Sequence, residues 1–316
     1  MMKSLYKWSI ILLLLILFPS CKKTKNVNRD ILIEEIMDSL HIYGEKQDGE
    51  RIIFWLDSLK VMEINMQDIS LEYADAYAYI GNFEKAIGVL KDSVSFSKNP
   101  QLLYNEMGSI YLLKGDTANA ILAYKQAINC NPNYARPYIY LGDTYSHMDE
   151  NELAINYYLS ATRLFAENRY YEEMGSYASK ALMIDSTNIE ANKFLQHYYY
   201  SKNDHKMALA VGLAIDELCV EQNQLEEGYA NMVFMGMSLF ELKEYEKSIS
   251  LMHQAINDKK TTKKYGYLIC CYVSASYREL GDDKKADYFL SLAKEVNAED
   301  AEKYINELLN RGNENK

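Results

Sequence analysis

The stretch NPNYARPYIYLGDTY, from Asn131 to Tyr145, decides the fold of this chain. It contains two prolines, one glycine and four tyrosines, which would suit either a binding loop or the junction between two units of a repeated structure. In a repeat, the glycine and the tyrosines are packing residues rather than binding residues. The spacing of similar residues along the chain therefore distinguishes the two interpretations.

Residues of the same type recur at an interval of 34 positions around this stretch. The matched pairs are Gly108 and Gly142, Tyr111 and Tyr145, Ala120 and Ala154, Tyr124 and Tyr158, and Ala127 and Ala161. Within one period, four residues share one face of a helix, at Tyr104, Met107, Gly108 and Tyr111. The interval predicts a stack of two-helix units in which Gly108 and Ala120 are small because two helices cross there.

This pattern resembles the tetratricopeptide repeat (TPR) family, whose unit is a helix, a turn and a second helix. The resemblance implies an all-α fold, a TPR-type α-solenoid in which helix-turn-helix repeats wind into a right-handed superhelix. Pro132 would lie in the loop that closes one repeat. Pro137 would lie in the first turn of the next helix, where its missing N–H costs little. The opening stretch is therefore interpreted as a repeat junction.

The 34-residue interval fails in two regions. Ala161 and Ala181 hold equivalent positions but lie only 20 residues apart, so residues 170–184 supply a second-helix pattern without a fresh first helix. This predicts an irregular joint near residues 165–190. Farther along, the interval lengthens to 40 and then 38 residues. We expect the extra residues in longer connections at 216–228 and 257–266.

The first residues, MMKSLYKWSIILLLLILFPSC, resemble a bacterial lipoprotein signal peptide. Lys3 and Lys7 form a basic start, residues 10–18 form an unbroken apolar run, and Ser20 directly precedes Cys21. A membrane-spanning anchor is the alternative, but it needs about 20 apolar residues, more than this run contains. The resemblance implies cleavage before Cys21 and lipid attachment at that residue, where several acyl chains such as palmitate would anchor the protein stably.

These observations divide the chain into five segments: a signal peptide at 1–20, a tether at 21–29, a degenerate helical hairpin at 30–66, the TPR array at 67–298, and a capping helix and tail at 299–316. The resemblance also implies a location in the bacterial envelope, on the outer membrane. We expect the protein to face the periplasm, because the tether is basic whereas the surface-export signals known in some bacteria are acidic.

Composition and motifs exclude several function classes. Without residues 1–20 the chain has 32 basic and 45 acidic side chains, a formal charge of about −13, which is unsuited to nucleic acid. The sequence contains no GxxxxGK[ST], GxGxxG or GxSxG motif, and its five histidines show no metal-ligand spacing. It therefore predicts a non-enzymatic protein with no catalytic residue, metal or cofactor.

Binding residues are expected on the face of each first helix that lies one helical step from the packing stripe. The resemblance implies that this face lines the concave groove of the superhelix. The predicted partner-binding residues are Asp75, Tyr79, Asn105, Ser109, Arg136, Asp143, His147, Lys193, His197 and Tyr200. Arg136 and Lys193 are expected to grip an acidic group of the partner.

The later part of the groove differs in character. Val233, Met237 and Phe240 make it more apolar there, which suits a partner helix. Asp75, Asp143 and His197 stand where chaperone-binding TPR proteins would need neutral or basic groups to hold a C-terminal carboxylate. That carboxylate clamp is therefore not expected.

Two functions remain open. The first is a membrane-tethered adaptor or scaffold that brings envelope proteins together through its groove, similar to TPR lipoproteins that organise outer-membrane assembly. The second is a glycan- or peptide-binding receptor lipoprotein. Glycan receptors of that kind are longer and carry large insertions, and this chain has only two tryptophans, Trp8 and Trp55. We therefore favour the adaptor.

Overall fold

A computed structural model describes residues 40–61, 69–297 and 299–314 of the chain. Every regular element in these ranges is a helix, which confirms the all-α prediction. The predicted signal peptide, the tether and Cys21 lie outside the described residues. The chain divides into two compact units, one up to Thr144 and one from Tyr145 onward.

The first unit begins with a helical segment at residues 40–45. It continues with α1 (Gly49–Val61), α2 (Ser70–Tyr79), α3 (Phe83–Val94), α4 (Pro100–Leu113), α5 (Thr117–Cys130) and most of α6 (Ala135–His147). The second unit contains α7 (Asn151–Glu167), α8 (Tyr171–Ile184), α9 (Ile189–Ser201), α10 (His205–Glu221), α11 (Leu225–Glu241), α12 (Tyr245–Ala255), α13 (Lys259–Glu279), α14 (Asp283–Val296) and α15 (Ala301–Glu314).

The hairpin of α4 and α5 shows why the repeat needs a small residue in its first helix. A Cβ atom on Gly108 would lie 2.4 Å from Cε1 of Tyr124, whose fully buried ring lies directly against the backbone of α4. Ala120, on the same side of α5, is also fully buried. The structure thus confirms the predicted close crossing, with the tyrosine ring filling the space that a side chain at position 108 would need.

The two helices of each hairpin are joined by a tight turn with one residue in the left-handed conformation. Glycine, which adopts a positive φ at no steric cost, fills this place at Gly81, Gly115 and Gly281. In the other turns the residues with positive φ are Asp149, Arg169, Asn203, Asn223 and Lys243. The 34-residue spacing of Gly81, Gly115 and Asp149 therefore reflects one recurring turn.

The predicted irregular joint is confirmed. Residues Tyr171–Ile184 form α8, which packs against both α7 and α9. The tight turn around Arg169 joins α7 to α8 in the same way as the turns within ordinary hairpins. The 17-residue α7 therefore follows one tight turn and precedes another, so it acts as the first helix that the sequence pattern lacks at this point.

The predicted longer connections at 216–228 and 257–266 are wrong. Helix α10 continues to Glu221 and α11 begins at Leu225, while α13 begins at Lys259 and runs for 21 residues. Asp258 caps α13 by accepting a hydrogen bond from the backbone N–H of Thr261 at 2.7 Å. The extra residues therefore lengthen the helices, because propagating a helix adds one backbone hydrogen bond for each residue that is fixed.

The last helix buries one side of itself. Ala301, Ile305 and Leu308 of α15 are fully buried and belong to the same hydrophobic cluster as Tyr272 and Ile269 of α13. Glu302, Lys303 and Glu307 of α15 are exposed. This division into an apolar and a polar side is the arrangement that closes a helical stack against solvent.

Candidate functional site

Two carboxyl groups from neighbouring first helices meet in the first unit. Asp75 of α2 and Glu106 of α4 share a hydrogen bond. Burial, followed by repulsion from Glu72, raises the pKa of Asp75 to about 6. Burial, followed by repulsion from Asp75, raises the pKa of Glu106 to about 7. A hydrogen bond between two carboxyls requires one of them to be neutral, so Asp75 and Glu106 share a proton.

Arg136 and Tyr79 complete this group of side chains. The guanidinium of Arg136, in the first turn of α6, opposes the rise in the pKa of Glu106 and also hydrogen-bonds Tyr134. The pKa of Tyr79 is raised by burial and by the charges of Asp75 and Glu106, so its hydroxyl lies within electrostatic range of both carboxyls. We call Asp75, Tyr79, Glu106 and Arg136 the acidic face.

Glu106 is the member of the acidic face that the sequence prediction missed. The prediction chose its neighbour Asn105 and the next turn at Ser109 as the groove residues of α4. A usable signal was present, because Glu72 and Glu106 lie 34 residues apart and therefore occupy the same position in successive repeats. Glu72 also acts on Asp75 by charge repulsion. Acidic residues that recur at the same position of successive repeats therefore indicate this face in the sequence.

Asn105 and Ser109 do not lie open in a groove as predicted. Asn105 is only 4% exposed, and its Oδ1 has no hydrogen-bond partner in the part of the chain that the structure describes. Ser109 is half-buried, and its Oγ donates to the backbone carbonyl of Asn105 at 3.3 Å and lies 3.4 Å from the Tyr124 hydroxyl. The prediction for these two side chains is corrected, because packing between neighbouring helices covers a wider arc of α4 than the tyrosine and glycine stripe alone.

Asp143 and His147 lie on the C-terminal half of α6. Asp143 is half-buried and adds to the negative charge that raises the pKa of Tyr124, after the larger effect of burial. His147, in the last turn of α6, is exposed. Asp143 therefore adds a further negative charge to the first unit.

In the second unit, the predicted basic anchor is already paired. Lys193 Nζ of α9 donates to Glu227 Oε2 of α11 at 2.6 Å, so its charge is largely offset. His197 is exposed and lies edge to face with Tyr171, with 5.5 Å between the ring centroids. These contacts argue against the prediction that Lys193 is a ready anchor for an acidic peptide.

Tyr200 belongs to an internal cluster. Its hydroxyl lies 3.0 Å from that of Tyr272 and 3.5 Å from Glu241 Oε1. Tyr272 is fully buried, which strongly raises its pKa, and its ring packs edge-on against Tyr304 of α15. The prediction that Tyr200 is an open binding residue is therefore corrected, since its polar group is used within the unit.

Two further features of the second unit are internal. Gln196 Nε2 donates to Asn231 Oδ1 at 3.0 Å, and Asn231 Nδ2 donates to the carbonyl of Gly212 at 2.7 Å. Val233, Met237 and Phe240, predicted to suit a partner helix, are less than 10% exposed and lie in the main hydrophobic cluster. That prediction is wrong because neighbouring helices already cover this apolar surface.

One polar cavity opens near the ends of α9 and α11. It has a volume of about 690 Å³ and is lined by Asp185, Thr187, Asn188, Ile189, Glu190, Lys193, Gln222, Gln224 and Glu227. Much of this lining is internally bonded, since Glu190 accepts from Arg163 and Gln222 donates to the carbonyl of Thr187. The cavity therefore presents amides and paired charges rather than one strong charge.

The described residues contain neither a metal site nor a membrane-spanning helix. Across residues 40–61, 69–297 and 299–314, no group of three or more histidine, cysteine or acidic side chains is placed to hold a metal ion. Within the same ranges, no helix is both long and apolar enough to cross a bilayer. The acidic face consists of the ionisable and aromatic side chains of Asp75, Tyr79, Glu106 and Arg136.

Comparisons with known proteins support the repeats. A family model described as TPR repeat matches residues 108–149, and a second, described as Tetratricopeptide repeat, matches residues 135–168. A "TPR repeat-containing protein" from Treponema pallidum (strain Nichols) is 21% identical over 187 residues, covering 59% of this chain and 22% of that protein. The TPR repeats and the TPR-type α-solenoid fold predicted from the spacing are confirmed.

Other relatives share the repeats at low identity. "BBSome complex member BBS4" from Bos taurus is 26% identical over 179 residues, covering 57% of this chain and 29% of that protein. The chain thus spans less than a third of the length of these two relatives. Repeats of this type are typically non-enzymatic scaffolds, and no enzymatic family is indicated.

Two of the solved structures that this chain matches have low identity and low TM-scores. The APC/C hetero-tetramer Cut9-Hcn1 matches with a TM-score of 0.43 and 15% identity, covering 93% of this chain and 57% of that chain. A tetratricopeptide repeat protein from Parabacteroides merdae matches with a TM-score of 0.37 and 12% identity, covering 78% and 98% respectively.

Proposed function

We propose that this TPR repeat protein is a non-enzymatic adaptor that binds a partner through the acidic face of its first unit. The observation that carries the proposal is the interaction of Asp75, Glu106 and Arg136, which come from three successive first helices. A partner that contacts this face engages three repeats at once. Binding by surfaces that successive repeats build together is the usual mode of solenoid proteins.

The physical state of the acidic face supports a binding role. Burial and repulsion from a neighbouring carboxylate raise the pKa of both carboxyls, with Glu72 acting on Asp75 and Asp75 acting on Glu106. Perturbed ionisable groups cluster at functional sites. Tyr79, which is 44% exposed, adds an aromatic surface beside them.

A cross-linking pull-down from envelope extract tests this proposal. The full chain is compared with a variant that carries Asp75→Asn and Glu106→Gln. Asp92→Asn, an exposed acidic residue on the second helix α3, serves as the matched control. We expect a partner that the control retains and the double variant loses. Equal capture by both variants would place the binding surface elsewhere.

We also propose that the protein is a lipoprotein held at the outer membrane and facing the periplasm. The support is the sequence of the first residues, with its basic start, short apolar run and Ser20-Cys21. Metabolic labelling with a clickable fatty acid should label the wild-type chain but not Cys21→Ala. Undiminished label on the variant would remove the lipoprotein assignment. Protease treatment of intact cells should spare the protein, and rapid digestion would indicate surface exposure instead.

The receptor alternative rests on the polar cavity of the second unit. Sugar-binding sites use aromatic rings as stacking surfaces, and none of the residues that line this cavity is aromatic. Its single lysine is paired with Glu227. The lining of the cavity therefore gives less support to a glycan-receptor function than the acidic face gives to an adaptor function.

A further inference from the structure

The start of α13 is the most basic stretch of the second unit. Lys259, Lys260, Lys263 and Lys264 fall within six residues of a chain whose formal net charge is −11, and all four are exposed. The first turns of the neighbouring helices α11, α12 and α14 contain acidic residues instead. Because the helix macrodipole disfavours cations at an N-terminus, these lysines do not stabilise their own helix.

Two of these lysines are already engaged within the second unit. Lys260 Nζ donates to both carboxylate oxygens of Glu226 of α11, at 2.8 and 2.7 Å. Lys264 Nζ lies 5.0 Å from the centre of the Tyr265 ring, within the range of a cation–π contact. Part of the positive charge at the start of α13 is therefore used by neighbouring side chains.

Lys259 and Lys263 are the open pair. Neither forms an ion pair with any residue in the part of the chain that the structure describes. They lie four positions apart on α13, so their side chains project from one side of the helix with about 5–6 Å between their Cβ atoms. Asp258, which precedes them, caps the helix by accepting a hydrogen bond from the backbone N–H of Thr261. The two ammonium groups are therefore what this surface offers to an anion.

A glycine continues the same side of α13. Gly266 follows Lys263 by three residues and Lys259 by seven, which is the spacing of one helical face. A Cβ atom there would meet only Thr262 Cγ2, at the ordinary contact distance of 3.7 Å, so packing does not require a glycine. Glycine in a helix interior is less favourable than alanine. Its place here gives a chain that crosses the two lysines close access to the backbone of α13.

The length of α13 leaves this surface uncovered. The helix has 21 residues, whereas α12 before it has 11 and α14 after it has 14. Apart from Thr261, the buried residues of α13 begin at Ile269. Residues 259–268, which include both open lysines and the glycine, thus form the less covered half of the helix. We call Lys259, Lys263 and Gly266 the basic face.

From these features we infer that the basic face binds an acidic segment of a partner protein in an extended conformation. Alternate side chains of an extended chain project to one side about 6.5 Å apart, so two carboxylates at positions i and i+2 can each meet one ammonium group. This inference goes beyond the proposed adaptor site, because it gives the second unit a binding surface of opposite charge. It also moves the expected acidic partner away from Lys193, whose charge is paired.

An anionic lipid surface is the other anion that lysines could meet. Lipid recognition of this kind uses clusters of about four to eight basic side chains, whereas the basic face contributes two. Glu226, which is bound to Lys260, adds a carboxylate that anionic headgroups repel. The acidic protein segment is therefore the favoured occupant.

The test uses the purified full chain and a short fluorescein-labelled peptide in which glutamate alternates with serine. Fluorescence anisotropy measures its binding at low salt, where exposed charges are least screened. The Lys259→Gln, Lys263→Gln variant should bind about fivefold or more weakly than the wild type, because two exposed ion pairs are lost. Lys206→Gln, Lys284→Gln is the matched control, since it removes two exposed lysines from other helices of the same unit, and it should bind as the wild type does. Equal binding by the two double variants would overturn the inference.

Two further measurements test the glycine and the class of anion. Gly266→Leu should bind the peptide several-fold more weakly although its thermal midpoint stays at or above that of the wild type, because leucine favours a helix and covers the approach to the backbone. Unchanged binding or a lower midpoint would exclude Gly266 from the basic face. Vesicles that contain phosphatidylglycerol should not displace the peptide; displacement that the Lys259→Gln, Lys263→Gln variant abolishes would make lipid the occupant and overturn the inference. The adaptor proposal is tested separately at Asp75 and Glu106, so it would survive either failure.

Discussion

The first unit brings the carboxyls of Asp75 and Glu106 together beside the guanidinium of Arg136, whereas the second unit pairs several polar side chains of its first helices with one another. There Lys193 pairs with Glu227, and Gln196 bonds Asn231. Both surfaces are built from first helices of the same repeat type. The difference indicates that the second unit uses these polar groups to hold its own helices together, while the first unit holds two neighbouring carboxyls whose pKa values are raised by burial.

The largest expected effect is in the second unit. Asn231→Ala removes a fully buried amide, which leaves Gln196 Nε2 without its acceptor and removes the side-chain hydrogen bond to the Gly212 carbonyl. The loss should be about 2–4 kcal/mol of unfolding free energy, because two buried polar groups lose their hydrogen bonds. Chemical denaturation followed by circular dichroism measures it. A loss no greater than that of an exposed substitution would mean that the network is not structural.

The next effect is at a helix crossing in the first unit. Gly108→Leu should cost about 1–3 kcal/mol despite a better helix propensity, because Tyr124 occupies the space that the side chain needs. Gly88→Ala is the matched control, since a Cβ there meets nothing within 4 Å, and it should stabilise α3 by about 0.5–1 kcal/mol. Thermal unfolding compares them. Equal midpoints for the two variants would show that the crossing is not tight.

Titration of the acidic face should give a smaller, pH-dependent effect. The pKa of Glu106 is raised above its unfolded value of 4.5, so folding takes up a proton. This stability is present below that value and is lost as pH rises through about 7. Relative to Glu106→Gln, the wild-type unfolding free energy should fall by about 1–2 kcal/mol across this range. Parallel curves for the two proteins would contradict the shared proton.

The smallest effect should come from the ion pair at the edge of the polar cavity. Lys193→Met removes a partly exposed lysine whose partner is Glu227. A pair of this kind contributes about 0–1 kcal/mol. Urea denaturation at low and high salt measures the difference between the variant and the wild type. A loss well above this range would place Lys193 among the structural anchors of the second unit, together with Asn231.

The sequence by itself determined the repeat. The 34-residue spacing of Gly108, Tyr111 and Tyr124 predicted the hairpins, because each hairpin uses the same packing residues at the same positions. The short interval between Ala161 and Ala181 predicted the irregular joint. It also predicted Asp75, Tyr79 and Arg136 as residues of the partner-binding groove, and the structure places all three within electrostatic range of Glu106.

Only the tertiary structure decided which polar groups are open, paired or covered. Helical periodicity fixes the direction in which a side chain projects. The length and position of the side chains on neighbouring helices decide which atoms it contacts. Asn105 is buried, Lys193 is neutralised by Glu227, and Tyr200 joins Tyr272, although each occupies a position predicted to face a groove. The pairing of Asp75 with Glu106 depends likewise on how closely α2 and α4 approach, which no interval in the sequence specifies.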